Sequence, residues 1–385
     1  MKRIASIIGM AVIIGLSGAV LPCAAQELPD YKYRETKELV SLVRDAATAI
    51  ATKGEGAFPG FKKEGGPWRR GEVYIFVLDT AGNMIVHPDP ALEGKNQIEM
   101  KDVNGKSVIK GIIFASASDL KRNEGWYHYQ WPEPGTIFSS WKSTFAKRVV
   151  AGSGKVYVAC SGLYNPKMED TFLINAVDAA VELIEKEGTT AFNALRDKSS
   201  QFVFLGTYIF VDTPEGVEVV NGGFPDIEGK NMLDYKDSDG KYLMREIIDT
   251  ATKKESGWVD YLWPKPGETK PSKKHTYVKK AVYGGSAFVV GSGAYIRDES
   301  AAAEGGAEDI SGQFMILELK GGGLTGGRII RETADSVFLV NSDGSMEVSF
   351  PRSRIARIRK PTDLELEKIN KGPAAGHQGP PAAAK

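Results

Sequence analysis

The string GWYHYQWPEPG at 125 to 135 returns as GWVDYLWPKPG at 257 to 267, and the sequence around each copy repeats in the same order. YIFVLDTAG (74 to 82) matches YIFVDTPEG (208 to 216), LEGKNQIEMKDVNGK (92 to 106) matches IEGKNMLDYKDSDGK (227 to 241), and SGLY (161 to 164) matches SGAY (292 to 295). A period of about 130 residues is far longer than a solenoid repeat and long enough for each copy to enclose its own core. The chain reads as a tandem duplication of a globular module, the first copy at 31 to 166 and the second at 167 to 298.

The N-terminus bears on where such a module works. Lys2 and Arg3 precede an apolar run from Ile4 to Leu21, then Pro22 and the small residues Ala24 and Ala25, the three-part pattern of a secretory signal over 1 to 25. Cleavage after Ala25 is expected; an uncleaved anchor and a lipoprotein at Cys23 are the alternatives, and Pro22 before that cysteine argues against lipid attachment. No later segment is apolar enough to span a bilayer, so the mature chain is expected in the periplasm or outside the cell. The full chain's formal charge is zero, and about −2 without Lys2 and Arg3, which gives no field for nucleic acid. Cys160 is then the one remaining cysteine, so no intramolecular disulfide can form, and it reads as a small strand residue.

Each copy opens with a helical pattern: Leu39, Leu42, Val43, Ala46, Ala47 and Ile50 in the first, and Phe172, Leu173, Ala176, Ala179, Ala180, Leu183 and Ile184 in the second, with Asp170 and Thr171 as candidate caps. VYIFVLD and TYIFVD then switch to β-rich patterns ending in turns at Gly82 and Gly216. After the KDxxGK turn, whose aspartate is expected to cap a shorter crossover helix, come the Gly-Trp strand, a lysine-bearing strand and a strand ending in Gly-x-Tyr. The fold class is α+β: in each copy a five-stranded antiparallel sheet with helices mainly on one side.

These strings carry a resemblance. GWVDYLWPKPG, FPDIEGKN (224 to 231) and KDSDGKYLMREII (236 to 248), together with VHPDPALEGKN (86 to 96) in the first copy, resemble extracellular Cache domains, the PAS-like sensors of bacterial chemoreceptors and histidine kinases. The first copy departs from the pattern at Gln130 and Glu133, where the second has Leu262 and Lys265. The resemblance implies a small ligand, often a carboxylate or amino acid, bound over the sheet. Such receptors continue into a membrane helix and a signalling domain, whereas residues 299 to 311 read here as a linker and 312 to 360 as short strands of a small Sm-like β-barrel. The glycines at 321 to 323 lack the ending of a phosphate loop, and 361 to 385 read as a disordered tail.

An anion pocket needs a cation, hydrogen-bond donors and aromatic walls. Alternation places Tyr129 with Trp131, and Tyr261 with Trp263, on one face of their strands; Lys142 and Lys147, aligned with Lys274 and Lys279, lie on the neighbouring strand. His87 and its counterpart Asn221 can both donate to a ligand oxygen, and Tyr208 opens the corresponding strand of the second copy. The competing readings are core packing for the aromatic residues, a solvent face for the lysines, and a turn at His87-Pro88 and Asn221-Gly222. Neither a calcium loop, which fails at Tyr235, nor a metal cluster, nucleophile elbow or paired catalytic carboxylate is indicated, so no cofactor and no enzyme activity are expected.

The expected function is extracytoplasmic binding of a small organic acid or amino acid, for presentation to a membrane sensor or transporter. The second copy, with Lys274, Tyr261 and Trp263, is expected to be the stronger site because it keeps the fuller strings. The alternative is an interaction scaffold with vestigial pockets whose contacts are made by the C-terminal β-module.

Overall fold

A computed structural model describes residues 31–117, 123–132, 139–296, 314–320, 324–340, 347–362 and 365–366. The expected signal, the linker, the glycines at 321 to 323 and most of the tail lie outside them. Among the described residues, no helix is long and apolar enough to cross a membrane.

The first domain begins with α1 (Arg34–Lys53), which buries Leu39, Val43, Ala46, Ala47 and Ile50 along one face. Strands β1 (Phe76–Asp79) and β2 (Met84–Val86), helix α2 (Val108–Ala115), and strands β3 (Glu124–Pro132), β4 (Ser139–Val150) and β5 (Val156–Tyr164) follow. They form an antiparallel sheet in the order β2-β1-β5-β4-β3. The second domain repeats this with α3 (Asp170–Glu187), β6 (Ile209–Asp212), β7 (Glu218–Asn221), α4 (Leu243–Lys253), β8 (Ser256–Pro264), β9 (Pro271–Tyr283) and β10 (Ser286–Tyr295), in the order β7-β6-β10-β9-β8.

The helices do not gather on one side, as the sequence pattern suggested. The long helices cover one face, where Val77, Trp126, Phe145 and Ala159 join α1, α3 and the second domain's Ile209, Val211 and Val290 in one continuous core. The crossover helices cover the other: Val108, Ile109 and Ile112 pack on Phe76, Leu78, Tyr127 and Cys160, and Leu243, Met244 and Ile247 pack on Phe210, Val259 and Val278. Both faces of each sheet are apolar, and each needs its own cover. Glu169 ties the long helices together, accepting the backbone N–H groups of Lys32 (2.7 Å) and Tyr33 (3.1 Å) at the start of α1.

The KDxxGK turn has a different role from the helix cap expected of it. Asp102 accepts N–H bonds from Asn104 (2.7 Å) and Lys106 (2.9 Å) in its own turn and from Gln130 (2.8 Å) on edge strand β3, while Lys106 donates Nζ to the His128 carbonyl (3.0 Å). Asp237 does the same for Asp239, Lys241 and Leu262 on β8, and Lys241 reaches the Asp260 carbonyl. One aspartate and one lysine thus satisfy a donor and an acceptor of an otherwise open sheet edge. Gly105 and Gly240, at φ +82° and +83°, make the turn tight enough to do so.

The C-terminal module comprises β11 (Phe314–Leu319), β12 (Leu324–Glu332), β13 (Ser336–Val340), β14 (Glu347–Pro351) and β15 (Ile355–Arg359), all antiparallel in the order β14-β13-β12-β11-β15. The expected barrel is not closed. After the turn at Arg352–Arg354 the chain crosses to pair with β11, which leaves β14 and β15 at opposite edges, unpaired with each other among the described residues. The register breaks at Glu318/Leu319 and Ile329/Arg331 bend the sheet without bringing those edges together. Val103 of the first domain packs on the module's core of Leu317, Leu319, Val337, Leu339 and Phe350, and Arg331 donates to the Pro266 carbonyl of the second domain (3.1 Å).

Asp102→Ala and Asp237→Ala should each destabilise the fold by about 1–3 kcal/mol for every edge or turn N–H left buried without an acceptor. Urea unfolding checks this, and unchanged midpoints would show that the edge clamp contributes nothing.

Candidate functional site

Pairing registers place one lysine of each domain in a row of tyrosines across three strands. Lys142 on β4 lies opposite Tyr129 on β3 and Tyr164 on β5; Lys274 on β9 lies opposite Tyr261 on β8 and Tyr295 on β10. Both lysines are 1% exposed. The Gly-x-Tyr motif makes room for them: a Cβ on Gly162 would stand 2.7 Å from Lys142 Cε, and one on Gly293 would stand 2.9 Å from Lys274 Cε.

In the first domain Lys142 donates to the hydroxyls of Tyr74 (2.7 Å) and Tyr164 (3.3 Å), and its ammonium lies 4.4 and 4.6 Å from their ring centroids. Tyr164 passes its own hydrogen to the Pro132 carbonyl (2.9 Å). Tyr74 accepts from the lysine and keeps its O–H as a donor. His87 Nδ1 accepts the N–H of Asp89 (2.9 Å), which assigns the neutral ring's hydrogen to Nε2. Burial, assisted by the charge on Lys142, pushes His87 down to about 4, so the imidazole is neutral near pH 7. Lys142, Tyr74 and His87, with Phe76, Met84, Ile112, Tyr129 and Trp131, line a cavity of about 10 Å³, room for about one water. No carboxylate forms an ion pair with Lys142 among the described residues.

The second domain has the same frame and a different charge. Lys274 donates to Tyr208 (2.9 Å), and Tyr295 donates to the Pro264 carbonyl (2.7 Å). Tyr261 accepts from Thr276 (3.1 Å), and Trp263 packs against Phe224 and Tyr235. Where the first domain pairs Leu78 with Met84 across β1 and β2, the second pairs Asp212 with Glu218 across β6 and β7, both buried. Asn221 donates Nδ2 to Glu218 (2.8 Å). Burial raises both carboxyls, and Glu218's charge raises Asp212 further; Glu218 reaches about 7 although its contacts with Asn221 and Asp212 and the charge of Lys274 act against that rise, and among the described residues no donor reaches either Asp212 oxygen. Burial brings Lys274 down to about 7, and Glu218's charge acts against that fall.

Several expected site residues lie elsewhere. Lys147 and Lys279 are five residues beyond Lys142 and Lys274, and an odd separation along a strand puts them on the opposite face. Lys147 pairs with Glu124 (2.8 Å), which Arg44 of α1 also holds; Lys279 pairs with Asp178 of α3 (2.7 Å). Asn221 is a turn residue as much as a pocket residue: its Oδ1 accepts the N–H groups of Gly223 (3.1 Å) and Phe224 (2.7 Å). Tyr129, Trp131, His87, Tyr208, Tyr261 and Trp263 do lie on the lysine's face. Sequence reasoning missed Tyr74, Tyr164 and Tyr295 as lysine partners, although all three stand in repeated strings, and it missed Asp212 and Glu218.

A larger cavity, about 110 Å³, lies between β3, α3 and residues 201–204. Aromatic walls such as Trp126 and Phe172 meet Glu124, Asp178 and Glu182 there, with no lysine or arginine in the lining.

Comparisons with known proteins agree with the duplicated architecture. A Cache domain model matches residues 179–318, and a Single Cache domain 2 model matches residues 41–149. The chain is 25% identical over 148 residues to the methyl-accepting chemotaxis protein McpP of Pseudomonas putida, covering 36% of this chain and 27% of that one. It is 34% identical over 135 residues to the sensor histidine kinase MctS of Rhizobium johnstonii, covering 35% and 27%. The chain thus spans about a quarter of the length of these relatives. The solved periplasmic sensor domain of a chemotaxis protein is 33% identical, with 32% of this chain and 92% of that one covered and a TM-score of 0.29.

His87 gives the site a pH signature. Its folded value lies below the unfolded 6.5, so folding excludes a proton and stability is lost as pH falls from about 6.5 towards 4. His87→Asn should flatten that slope in thermal melts, and the ring should titrate near pH 4 by NMR; a midpoint near 6.5 would contradict the buried, neutral imidazole.

Proposed function

We propose, from the premise that this chain belongs to the Cache family and carries two such domains in tandem, that it is an extracytoplasmic binding module for a short carboxylate. One observation carries the reading. Lys142, Tyr74 and His87, each with a hydrogen to donate, line one buried cavity, with no protein carboxylate paired to the lysine among the described residues. Burying an ammonium without a counter-ion is costly, and a ligand carboxylate supplies both the charge and the acceptors.

The size and lining of the cavity narrow the ligand. About 10 Å³ does not hold even acetate without movement of the walls, which favours acids of two or three carbons. Leu78 and Met84 offer nothing to an α-ammonium group, so a simple acid fits better than an amino acid. This makes the first domain the principal acid site, the reverse of the order expected from the repeated strings. The role is binding rather than catalysis, and a membrane sensor or transporter is the partner class that would read it.

Isothermal titration of the full chain with acetate, propionate and other short acids tests the reading. A ligand at a hundred times its dissociation constant should add about 2.7 kcal/mol of stability. Lys142→Met should cost about 1.5–3 kcal/mol of affinity, about ten- to hundredfold, and Lys274→Met little. Unchanged affinity in folded Lys142→Met removes the lysine from the site; no binding across the panel favours the scaffold reading, in which the β-module makes the contacts.

A further inference from the structure

The two lysine rows share their lysine, their tyrosines and their glycine, and differ where β1 and β2 of the first domain correspond to β6 and β7 of the second. Met84, at the start of β2, lines the first cavity beside Lys142 and His87. Glu218 begins β7 at the corresponding place, opposite Asp212. We propose that Glu218, backed by Asp212, is a built-in substitute for the ligand carboxylate and closes the second pocket to simple acids. This rests on the reading of Lys142 as a carboxylate anchor.

Three observations support the substitution. Asn221 stands where the first domain has His87, and its amide donates to Glu218 Oε1 at 2.8 Å rather than towards a ligand. Glu218 and Lys274 act on each other through space, each favouring the other's charged form. Both carboxyls also act on Tyr261, and Glu218 acts on Tyr208, so the pair faces the same tyrosines that frame the lysine. An incoming carboxylate would meet a lysine whose field is already answered by Glu218, and would add negative charge beside two buried carboxyls. Like charges in a low-dielectric site repel strongly, so that arrangement selects against an anion. In the first domain the same two positions are apolar, and the ligand itself must provide the charge.

The test is a gain of function. In the full chain, Asp212→Leu with Glu218→Met copies the first domain's residues into the second; Asp212→Asn with Glu218→Gln is the isosteric version if the first folds poorly. At about pH 7.5, above the value of about 7 to which Glu218 is raised, acetate and propionate titrated into wild type should bind one per chain, and into either double variant two per chain. Adding Lys274→Met should abolish the new site and leave the old one. Two acids bound by wild type, or no added site in a folded variant, overturns the inference. Binding by the variant through Lys274 when wild type binds none upholds the inference while refuting the first-domain reading. No binding by either refutes both.

Discussion

A lysine ammonium held against a sheet, 1% exposed, must be answered by charge or by oxygens, and much of each domain is arranged around that requirement. The row Tyr129–Lys142–Tyr164 is set by strand register, and Tyr74, just ahead of β1, completes the shell. Gly162 keeps a side chain from the space the lysine crosses, and the crossover helix covers the row from water. Shifting one strand by a residue would send the lysine to the long-helix face, where Lys147 and Lys279 sit and where acidic partners on neighbouring elements hold them.

Duplication let one frame diverge electrostatically. In the second domain Glu218, held by Asn221, acts on the lysine through space; in the first the corresponding positions are Leu78 and Met84, and the proposed ligand acid would supply that charge. The clamped sheet edges, shared core and β-module contacts then hold two lysine rows of different surroundings in one connected body.

The architecture was largely legible in the amino-acid sequence because it rests on repeated local patterns: helical spacing in α1 and α3, two-residue alternation in the strands, and glycine turns. The crossover helices were legible as helices, but not the face they cover, since periodicity reveals an apolar side and not what lies against it. Lys147 and Lys279 were misplaced by counting aligned lysines without counting parity. Asp212 and Glu218 were overlooked because the comparison followed what the copies share, whereas this difference in charge lies where they depart. The KDxxGK turn looked like a helix cap because its aspartate bonds N–H groups in its own turn; its reach to the edge strand spans 28 residues in the first domain and cannot be read from local sequence.

The most direct measurement is a crystal structure of the chain with a short carboxylate such as propionate. The account predicts carboxylate density within hydrogen-bonding distance of Lys142 Nζ, Tyr74 and His87 Nε2, with the second pocket free of propionate. Propionate on Lys274, with none at Lys142, would contradict it.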